Sequence, residues 1–472
     1  MTDFLYRQLL RELTEEIYSG RRPAGTRMPS IRELSDERGI SKSTVLNAYD
    51  RLEAEGLITA RPRSGYYVEG RQAQDPLAIK TPLVSRPESM PLPVSSAQIL
   101  VDIMQRGAAF DLVGESAREL GNDSLRRSLA RAQRRQTTGE QDNYDTPEGM
   151  LGLRSLITGR LHLGGSNIDP DGLVITSGCQ HALLLALMAT TRRGDVVAVE
   201  SPGFYGVFQL FEVLGLKALE LPSSPESGLS PEGFELALQH WDIKALVVSP
   251  SYSTPTGASM PEANKQRILS LAYSRDLPII EDDIYGELSF NEQRPRTLHS
   301  YDHRGLVLLC SSMSKSLSRD LRIGWIAPGL FKEQVTQLKV ATSLASSRAQ
   351  QQGLTDFLTE GGFDRHLRVR RGTLRQQYQQ LLELLGRYLP MMESCSRPQG
   401  GLTVWVELPE AVDSLKLYKA GLQRGIILTP GRLFTAQERH RNALRISFAF
   451  PWTKPRVEAL EALGKLVTNC PD

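Results

Sequence analysis

Five short apolar segments that alternate with helix-like patterns constrain the fold more strongly than any other feature of this sequence. They occupy residues 173–176, 196–199, 245–248, 277–280 and 306–309. Continuous apolar segments of this length, separated by helices, are typical of strands in a largely parallel sheet that is covered on both faces. We therefore predict an α/β fold with a mostly parallel, doubly wound sheet.

The residues that follow these five segments are polar, aromatic or very small. In chain order they are 177–180, 200–206, 249–257, 281–285 and 311–315. Open α/β sheets bind their ligands at the carboxyl ends of the strands. In such a sheet, these ends bring a small-residue turn, an aromatic ring, a carboxylate, a tyrosine and a lysine to one place.

This combination of groups suits pyridoxal phosphate held as a Schiff base. Lys315 provides an amine that forms an imine with the cofactor aldehyde. Asp282 provides the anion that keeps the pyridine nitrogen protonated and electron-withdrawing. Tyr285, shortly after it in the chain, is expected to hydrogen-bond the ring hydroxyl.

The phosphate and the ring face of such a cofactor need further partners. Backbone N–H groups at a helix start bind phosphate, and a guanidinium adds charge-assisted hydrogen bonds. The candidates are Gly178, Cys179, Gln180, Ser312 and Arg322 for the phosphate, and Phe204 or Tyr205 for the ring face. Each also has an ordinary structural explanation, such as a solvated charge or a helix cap. Agreement at five consecutive strand ends favours the cofactor.

The first seventy residues predict a separate small domain. Leucine and isoleucine recur every four residues over 5–17, which predicts one apolar helix face. Ser30 and Glu33 have capping-box spacing and start a second helix. Residues 41–52 form a third helix across a tight turn. This is a helix-turn-helix arrangement, in which the start of the last helix enters the major groove.

Two β-prone segments, 57–60 and 66–68, follow the third helix, and residues 61–65 join them as a hairpin tip with two arginines. Such a tip is typical of a wing that touches DNA. The alternative for the whole region is a small helical interaction module. The formal net charge is only +2, and the first 70 residues hold 11 basic and 11 acidic side chains. The placement of the basic residues therefore supports DNA binding, and bulk charge does not.

Cysteine usage and the N-terminus indicate an intracellular protein. Cys179, Cys310, Cys395 and Cys470 lie far apart and form no CxxC pair. This pattern argues against a metal site and against a disulfide framework. The N-terminus has no apolar leader, and no apolar run is long enough to span a bilayer. We expect a cytoplasmic protein without metal or membrane.

A chain of 472 residues is long enough for two or three domains. We predict a winged helix over 1–70, a proline-containing linker over 71–95, and a large domain over 96–472. The last part of the large domain, about 345–472, is expected to form a smaller α+β subdomain.

The first seventy residues resemble a GntR-type winged-helix domain. The matching stretches include 25–34, 41–45, 52–58 and 63–65. The resemblance implies a complex with double-stranded DNA. The resemblance and the hairpin pattern together predict eight DNA-binding residues: Arg32, Ser41, Lys42, Thr44, Arg61, Arg63, Ser64 and Gly65.

From about residue 100 onward the chain resembles fold-type I aminotransferases. The shared motifs lie at 144–149, 176–180, 255–257, 282–285, 312–325, 398–405 and 444–448. The resemblance implies Lys315 as the covalent cofactor lysine, Asp282 as the pyridine partner and Arg445 as the clamp for a carboxylate. It also implies a homodimer in which Tyr144 reaches the phosphate of the partner. The whole chain resembles the MocR subgroup of GntR regulators.

Two places depart from the aminotransferase pattern. Thr254 stands where that family has an asparagine that supports the ring hydroxyl. Ser318, Arg319 and Asp320 stand where relatives often have a Pro/Gly turn. Both departures favour cofactor binding over efficient turnover.

Three functions stay open from the sequence. The fusion with a DNA-binding domain favours a transcription regulator that senses an amine, an amino acid or pyridoxal phosphate itself. The second hypothesis is a working aminotransferase with an accessory DNA-binding domain. The third is a large domain that has lost its cofactor and serves only for dimerisation.

Overall fold

The computed structural model describes residues 9–68 apart from 11, 15, 18–20, 24, 55–56 and 62–63, then 92–93, 112, and 122–468 apart from 292. The chain divides into two units, Met1–Asp75 and Pro76–Asp472. Of the linker predicted over 71–95, only residues 92–93 lie among the described residues.

The N-terminal unit contains the predicted helix pair and hairpin. Its elements are α1 (Ile31–Arg38), α2 (Lys42–Ala54), β1 (Ile58–Arg61) and β2 (Gly65–Val68), and the described residues between 9 and 17 are helical. The capping box at the start of α1 is confirmed. The Glu33 amide donates to Ser30 Oγ (3.2 Å), and the Ser30 amide donates to the Glu33 carboxylate (2.8 Å). These bonds satisfy two backbone donors that a helix start otherwise leaves unpaired.

The turn between α1 and α2 is held by a small apolar core. Gly39 ends α1 in the left-handed region (φ 63°), where a residue without Cβ is favoured. Leu34, Val45 and Tyr49 are buried beneath it, and the Tyr49 hydroxyl donates to the Pro29 carbonyl (2.7 Å). This packing sets the orientation of the two helices.

The second unit is built on the predicted mostly parallel sheet. Its strand order is β3-β6-β5-β8-β9-β10-β11-β4, with β7 paired to β6. The strands are β3 (Leu92–Pro93), β4 (Val174–Thr176), β5 (Val196–Ser201), β6 (Lys217–Ser224), β7 (Gly228–Leu229), β8 (Ile243–Val248), β9 (Ile279–Asp282), β10 (Val307–Ser312) and β11 (Gly324–Ala327). The neighbours from β6 to β10 pair in parallel, and β11 is antiparallel to both β10 and β4.

Helices cover both faces of this sheet, as a doubly wound fold requires. The helices of this unit that precede the smaller sheet and its long helix are α3 (Asp123–Arg135), α4 (Thr138–Gln141), α5 (Leu151–Leu163), α6 (Cys179–Thr190), α7 (Tyr205–Leu214), α8 (Pro231–His240), α9 (Glu262–Tyr273), α10 (Lys332–Ser343) and α11 (Arg348–Thr359). In β5, Val197 and Val199 pack on the face of α6 and α7, and Ala198 packs on the face of α8 and α9. All five predicted segments form strands.

A smaller three-stranded antiparallel sheet follows, in the order β12-β13-β14. Its elements are α12 (Gly362–Tyr388), β12 (Ser394–Cys395), β13 (Thr403–Glu407), α13 (Ser414–Leu422), β14 (Ala443–Ser447) and α14 (Lys454–Thr468). Val404 and Ile446 lie opposite each other in this sheet and are fully buried or nearly so. This is the predicted α+β part of the chain, and it carries Arg445 on β14.

None of the helices in the described residues combines the length and the apolarity that crossing a lipid bilayer requires.

Candidate functional site

The two residues expected to hold the cofactor lie at the ends of neighbouring parallel strands. Asp282 is the last residue of β9, where it pairs with Cys310 of β10. Lys315 follows the end of β10 in the next turn. Because parallel strands end at the same edge of a sheet, the carboxylate and the amine are brought to one place, as predicted from the sequence.

Asp282 is 4% exposed, and its carboxylate accepts hydrogen bonds from two neighbouring groups. The Cys179 thiol donates to its Oδ1 (3.4 Å), as does the Ile284 amide (3.2 Å). Burial raises the pKa of Asp282 to about 6, while these two hydrogen bonds act in the opposite direction. A cationic group placed at this carboxylate would relieve the cost of burying its charge.

Lys315 is half-buried, and its amine makes no hydrogen bond or ion pair with any other described residue. Burial lowers its pKa to about 7, and the positive charges of Arg319 and Arg445 lower it further. A substantial fraction of this amine is therefore unprotonated near neutral pH, and the unprotonated amine is the nucleophilic form.

The predicted phosphate turn lies at the start of α6. Gly178 has φ +88°, and a Cβ there would come within 2.5 Å of the Arg322 guanidinium. Arg322 donates to the Ser177 carbonyl (2.9 Å) and to Ser314 Oγ (3.4 Å). The absence of a side chain at Gly178 thus lets a guanidinium lie against the N-terminus of a helix, where an anion is favoured.

Gln180 and Phe204 join this turn to α7. The Gln180 side-chain amide donates to the Gly206 carbonyl (2.8 Å). Phe204 packs against Tyr205, with ring centroids 4.6 Å apart. A Cβ at Gly206 would contact both the Phe204 ring and the Gln180 amide. The side chain of Gln180 therefore ties the backbone at the start of α7 to the turn at Gly178, a role that the sequence did not predict.

Three other predicted cofactor residues are buried. Tyr285 and Thr254 are 6% and 5% exposed, and burial raises the pKa of the Tyr285 hydroxyl. Ser312 is also buried, at the end of β10, and its Oγ accepts a hydrogen bond from the Ser314 amide (3.2 Å). This bond shapes the turn that leads to Lys315.

Arg445 reaches the site from the smaller sheet. It is 7% exposed, and its guanidinium carbon lies 5.5 Å from the centre of the Phe434 ring. Its guanidinium also interacts with the Tyr205 hydroxyl, whose pKa is raised by burial and held down by this cation. Tyr205 is thus a partner of Arg445, the residue predicted to clamp a carboxylate. The sequence had offered Tyr205 only as an alternative to Phe204 for stacking on the cofactor ring.

Tyr144 is 79% exposed, unlike the buried Asp282, Tyr285 and Ser312 of the predicted cofactor set. The prediction that it reaches the phosphate of a partner subunit stays a prediction.

Four of the eight predicted DNA contacts lie in the helix pair of the N-terminal unit, one on α1 and three around the start of α2. Arg32, Ser41 and Lys42 are exposed. Thr44 differs from the expectation, because it is 4% exposed and its Oγ1 lies 2.7 Å from Ser41 Oγ. Its amide also donates to Ser41 Oγ (3.1 Å). The Ser41 hydroxyl therefore caps α2, and the buried Thr44 side chain hydrogen-bonds to this cap and does not face outward.

The hairpin tip carries the remaining candidates. The Arg61 guanidinium carbon lies 4.4 Å from the centre of the Tyr67 ring, and Ser64 Oγ lies 2.7 Å from the Tyr67 hydroxyl. Gly65 has φ +97°, which permits the tight turn. The exposed Arg27 lies beside Gly65 and adds a cation that the sequence pattern did not predict as a DNA contact. Arg63 lies outside the described residues.

The residues of the large unit fit pyridoxal phosphate. Three local features match its three ends: a guanidinium against a side-chain-free helix start, a buried carboxylate, and an amine without a hydrogen-bond partner in the described chain. These suit a phosphate, a protonated pyridine nitrogen and an aldehyde, respectively.

The fold and the two candidate sites define a class of protein in which a DNA-binding winged helix is joined to an aminotransferase fold. Residues 113–463 match the family "Aminotransferase class I and II", and residues 5–68 match "Bacterial regulatory proteins, gntR family". The chain belongs to these families in the combination found in MocR-type transcription regulators.

Similar proteins share this whole arrangement. The HTH-type transcriptional regulator YjiR of Escherichia coli strain K12 is 39% identical, with 98% of each chain covered. The regulator YdcR of the same strain is 35% identical over the same share of both chains. Among solved structures, LysN, the α-aminoadipate aminotransferase of Thermus thermophilus complexed with N-(5'-phosphopyridoxyl)-L-leucine, is 28% identical. Its TM-score is 0.71, and 79% of this chain and 95% of that chain are covered.

Proposed function

We propose that this transcription regulator holds pyridoxal phosphate at Lys315 and that an amine reaching the same site changes its affinity for DNA. The observation that carries the proposal is the half-buried Lys315 amine, which has no hydrogen-bond partner in the described chain and lies beside the buried Asp282. The similarity to LysN, whose structure contains a phosphopyridoxyl amino acid, supports the same ligand chemistry.

Each side chain has a defined task in this proposal. Pyridoxal phosphate, when bound, supplies an aldehyde carbon that bonds covalently to amines. Lys315 presents an unprotonated amine near neutral pH, because its pKa is lowered to about 7. Asp282 would accept a hydrogen bond from the ring nitrogen and keep its proton there. Arg322 and the N–H groups at the start of α6 would bind the phosphate.

The effector amine is recognised by a second set of groups. Arg445 binds a carboxylate in the two-pronged geometry that a guanidinium allows. Tyr205 holds that guanidinium in place. An amine held by Arg445 would compete with Lys315 for the cofactor. The difference in binding free energy between the two states would then be available for coupling to DNA affinity.

The active form is proposed to be a homodimer. Tyr144 and Leu151 are 79% and 57% exposed and lie close together in the chain, at the approach to α5. A second copy of this chain would cover these apolar side chains and allow Tyr144 to contact the phosphate of its partner. Size-exclusion chromatography with light scattering tests this, and a monomer at micromolar concentration would refute it.

The central experiment combines spectroscopy with DNA binding. The full-length protein, purified with pyridoxal phosphate, should show a visible absorbance band that is lost in Lys315→Ala. Borohydride treatment followed by peptide mass spectrometry should place the added mass on Lys315. Mobility shifts on the upstream region of the gene for this protein should then differ with and without cofactor.

Lys332→Ala is the matched control, because this lysine is exposed on α10. It should keep the absorbance band and the DNA response. A wild-type protein that takes up no cofactor, or one whose DNA binding ignores cofactor and amines alike, would overturn the proposal.

A working aminotransferase is the second candidate, favoured by the lowered pKa of Lys315 and by the carboxylate clamp at Arg445. It predicts steady exchange of amino groups between amino acids and keto acids that disappears in Lys315→Ala. A regulator that only senses should show one amine-dependent spectral change per site without continued product formation.

A further inference from the structure

We propose that Lys339 and Gln351 are positioning residues that fix the segment carrying Tyr144, so that this side chain can reach the cofactor phosphate bound by a second copy of the chain. The Tyr144 segment is defined as residues 144–149. The inference rests on the proposed function, because the homodimer and the Tyr144 contact belong to it. It assigns a task to two fully buried polar side chains that the sequence pattern did not single out.

Lys339 is a fully buried lysine near the end of α10. Its ammonium group donates to the Pro147 carbonyl and to Ser346 Oγ (3.3 Å). Burial lowers the pKa of Lys339 to about 8, while two neighbouring carboxylates act in the opposite direction. Most of these amines therefore keep their charge at neutral pH. The Tyr144 segment is thus held at its backbone by a charge-assisted hydrogen bond.

Gln351, on α11, holds the same segment on either side of Pro147. Its side-chain amide donates to Asp145 Oδ2 (2.9 Å), and its Oε1 accepts a hydrogen bond from the Met150 amide (2.9 Å). A Cβ at Gly149, where φ is +90°, would lie 2.6 Å from Gln351 Oε1. The close approach of this side chain to the backbone therefore depends on a residue without Cβ.

The remaining contacts leave Tyr144 as the exposed end of the segment. The Glu148 carbonyl accepts a hydrogen bond from the Ile175 amide beside it in β4 (2.9 Å), and Arg154 Nε donates to the Gly149 carbonyl (3.0 Å). Tyr144 itself is 79% exposed. A backbone that is held at successive residues thus presents one exposed phenol, which is the arrangement that contact with a second copy of the chain requires.

A packing role alone does not explain a lysine at position 339. Lysine is rarely fully buried, because removing its charge from water is costly. A methionine at this position of α10 would fill a similar volume without that cost. What Lys339 adds is the hydrogen bond to Pro147, shortly after Tyr144 in the chain. That bond restricts the positions available to the phenol, and such restriction strengthens binding by lowering its entropic cost.

The test separates an effect within one subunit from an effect on its partner. Full-length chains with two different affinity tags are coexpressed, and the heterodimers are isolated. In the first heterodimer, one chain carries Lys315→Ala and the other carries Lys339→Met. In the second, one chain carries both substitutions and the other is wild type. Each heterodimer keeps a single Lys315 that can bond covalently to pyridoxal phosphate, and visible absorbance during titration measures its affinity.

The second heterodimer should bind the cofactor about tenfold more weakly than the first, because only there does the intact Lys315 depend on the altered segment of the other subunit. The first should match a heterodimer of wild type and Lys315→Ala. Lys332→Met, at an exposed lysine of the same helix, replaces Lys339→Met in the control and should leave both affinities unchanged. Both heterodimers contain the same substitutions, so a general loss of folding would weaken them equally.

Equal affinities of the two heterodimers, whether both reduced or both unchanged, would overturn the inference. A weaker first heterodimer would also overturn it, because Lys339 would then act on the site of its own subunit. Gln351→Glu in place of Lys339→Met should reproduce the expected order, since glutamate accepts the Met150 amide but repels Asp145. Equal affinities with Gln351→Glu would remove Gln351 from the positioning role.

Tyr144→Phe in the same two arrangements distinguishes this inference from the proposed function. If Tyr144→Phe gives the expected order and Lys339→Met does not, only the positioning role is refuted. If neither gives it, the positioning role and the proposed contact of Tyr144 with the partner's phosphate are both refuted. A wild-type protein without a visible band after loading would refute the proposed function as a whole, and this inference with it.

Discussion

The N-terminal unit and the pocket of the large unit place their functional residues in contrasting ways. The predicted DNA contacts lie between Arg32 and Gly65, on consecutive elements, and most of those that the structure describes are exposed. The pocket draws Gly178, Asp282 and Arg445 from strands or helices far apart in the chain, and these residues are largely buried.

This difference sets the size of the effects that each region can produce. Exposed charges are well solvated and contribute little individually. Buried charges and tightly packed glycines are costly to disturb, because no solvent compensates for a lost partner or a clash. We therefore expect substitutions in the pocket to have larger consequences than those on the DNA-binding face, and the following predictions test that ranking.

The largest effect should come from Gly178→Ala. The backbone has φ +88°, and the new Cβ would lie within 2.5 Å of the Arg322 guanidinium. Backbone strain of roughly 1–3 kcal/mol adds to weakened charge-assisted hydrogen bonds worth roughly 1.5–3 kcal/mol, so the cofactor affinity should fall about a hundredfold or more. Spectral titration with pyridoxal phosphate measures this.

Gly159→Ala is the matched control for that comparison. Gly159 lies on the exposed side of α5, and a Cβ there meets no atom within 4 Å. Alanine in a helix interior should leave cofactor affinity unchanged and raise stability by roughly 0.5–1 kcal/mol. Cofactor binding by Gly178→Ala within twofold of the wild type would contradict the role of this turn.

Asp282→Asn should show how much the buried charge of Asp282 lowers the free energy of unfolding as pH rises. The folded-state pKa of Asp282 is raised from 3.8 to about 6 by burial, so the folded state binds more protons than the unfolded state between those values. The wild type therefore loses stability as pH rises through this window. Without cofactor, the stability of Asp282→Asn relative to the wild type should grow by on the order of 2 kcal/mol between about pH 4.5 and about pH 7.5.

Urea denaturation at the two pH values checks this prediction. Asp142→Asn replaces an exposed carboxylate and should run parallel to the wild type at both. If the two stability curves of Asp282→Asn and the wild type were also parallel, the buried carboxylate would not carry the charge that the proposed cofactor contact requires.

Lys42→Ala should have a smaller effect that is confined to DNA. Lys42 is exposed at the start of α2. Loss of one phosphate contact should weaken binding about tenfold and reduce the slope of log affinity against log salt by about 1, with little effect on sequence preference. Mobility shifts over a range of salt concentrations measure both, with Lys332→Ala as the control. An unchanged salt slope would remove Lys42 from the set of DNA contacts.

Ser30→Ala should give the smallest effect, and one that stays local. The Ser30 hydroxyl accepts the Glu33 amide, so its loss should destabilise α1 by about 1 kcal/mol. Faster amide hydrogen exchange in α1 of the full-length protein is the measurement. Glu37→Ala, at an exposed position of the same helix, should stay within about 0.5 kcal/mol. Exchange changes of equal size in both variants would show that the capping box contributes nothing specific.

The extra strands show where sequence patterns stop being sufficient. The five apolar segments all form strands, but β6 and β11 were not predicted. In β6 the pattern is broken by charged and small residues over Lys217–Ser224, and β11 follows directly on the Lys315 turn. Both are strands because neighbouring strands offer them backbone partners, which is a long-range effect that local periodicity does not contain.

Local features could be predicted from the sequence alone: the capping box at Ser30, the strand ends that lead to Asp282 and Lys315, and the turn at Gly178. Spacing and residue type are enough for these, since each depends on neighbours a few residues away. Packing between distant segments decided that Thr44 is buried and that the Cys179 thiol donates to Asp282. Burial and convergence depend on how distant segments pack, and in a low-dielectric interior that packing sets the charge state and the partners of each group.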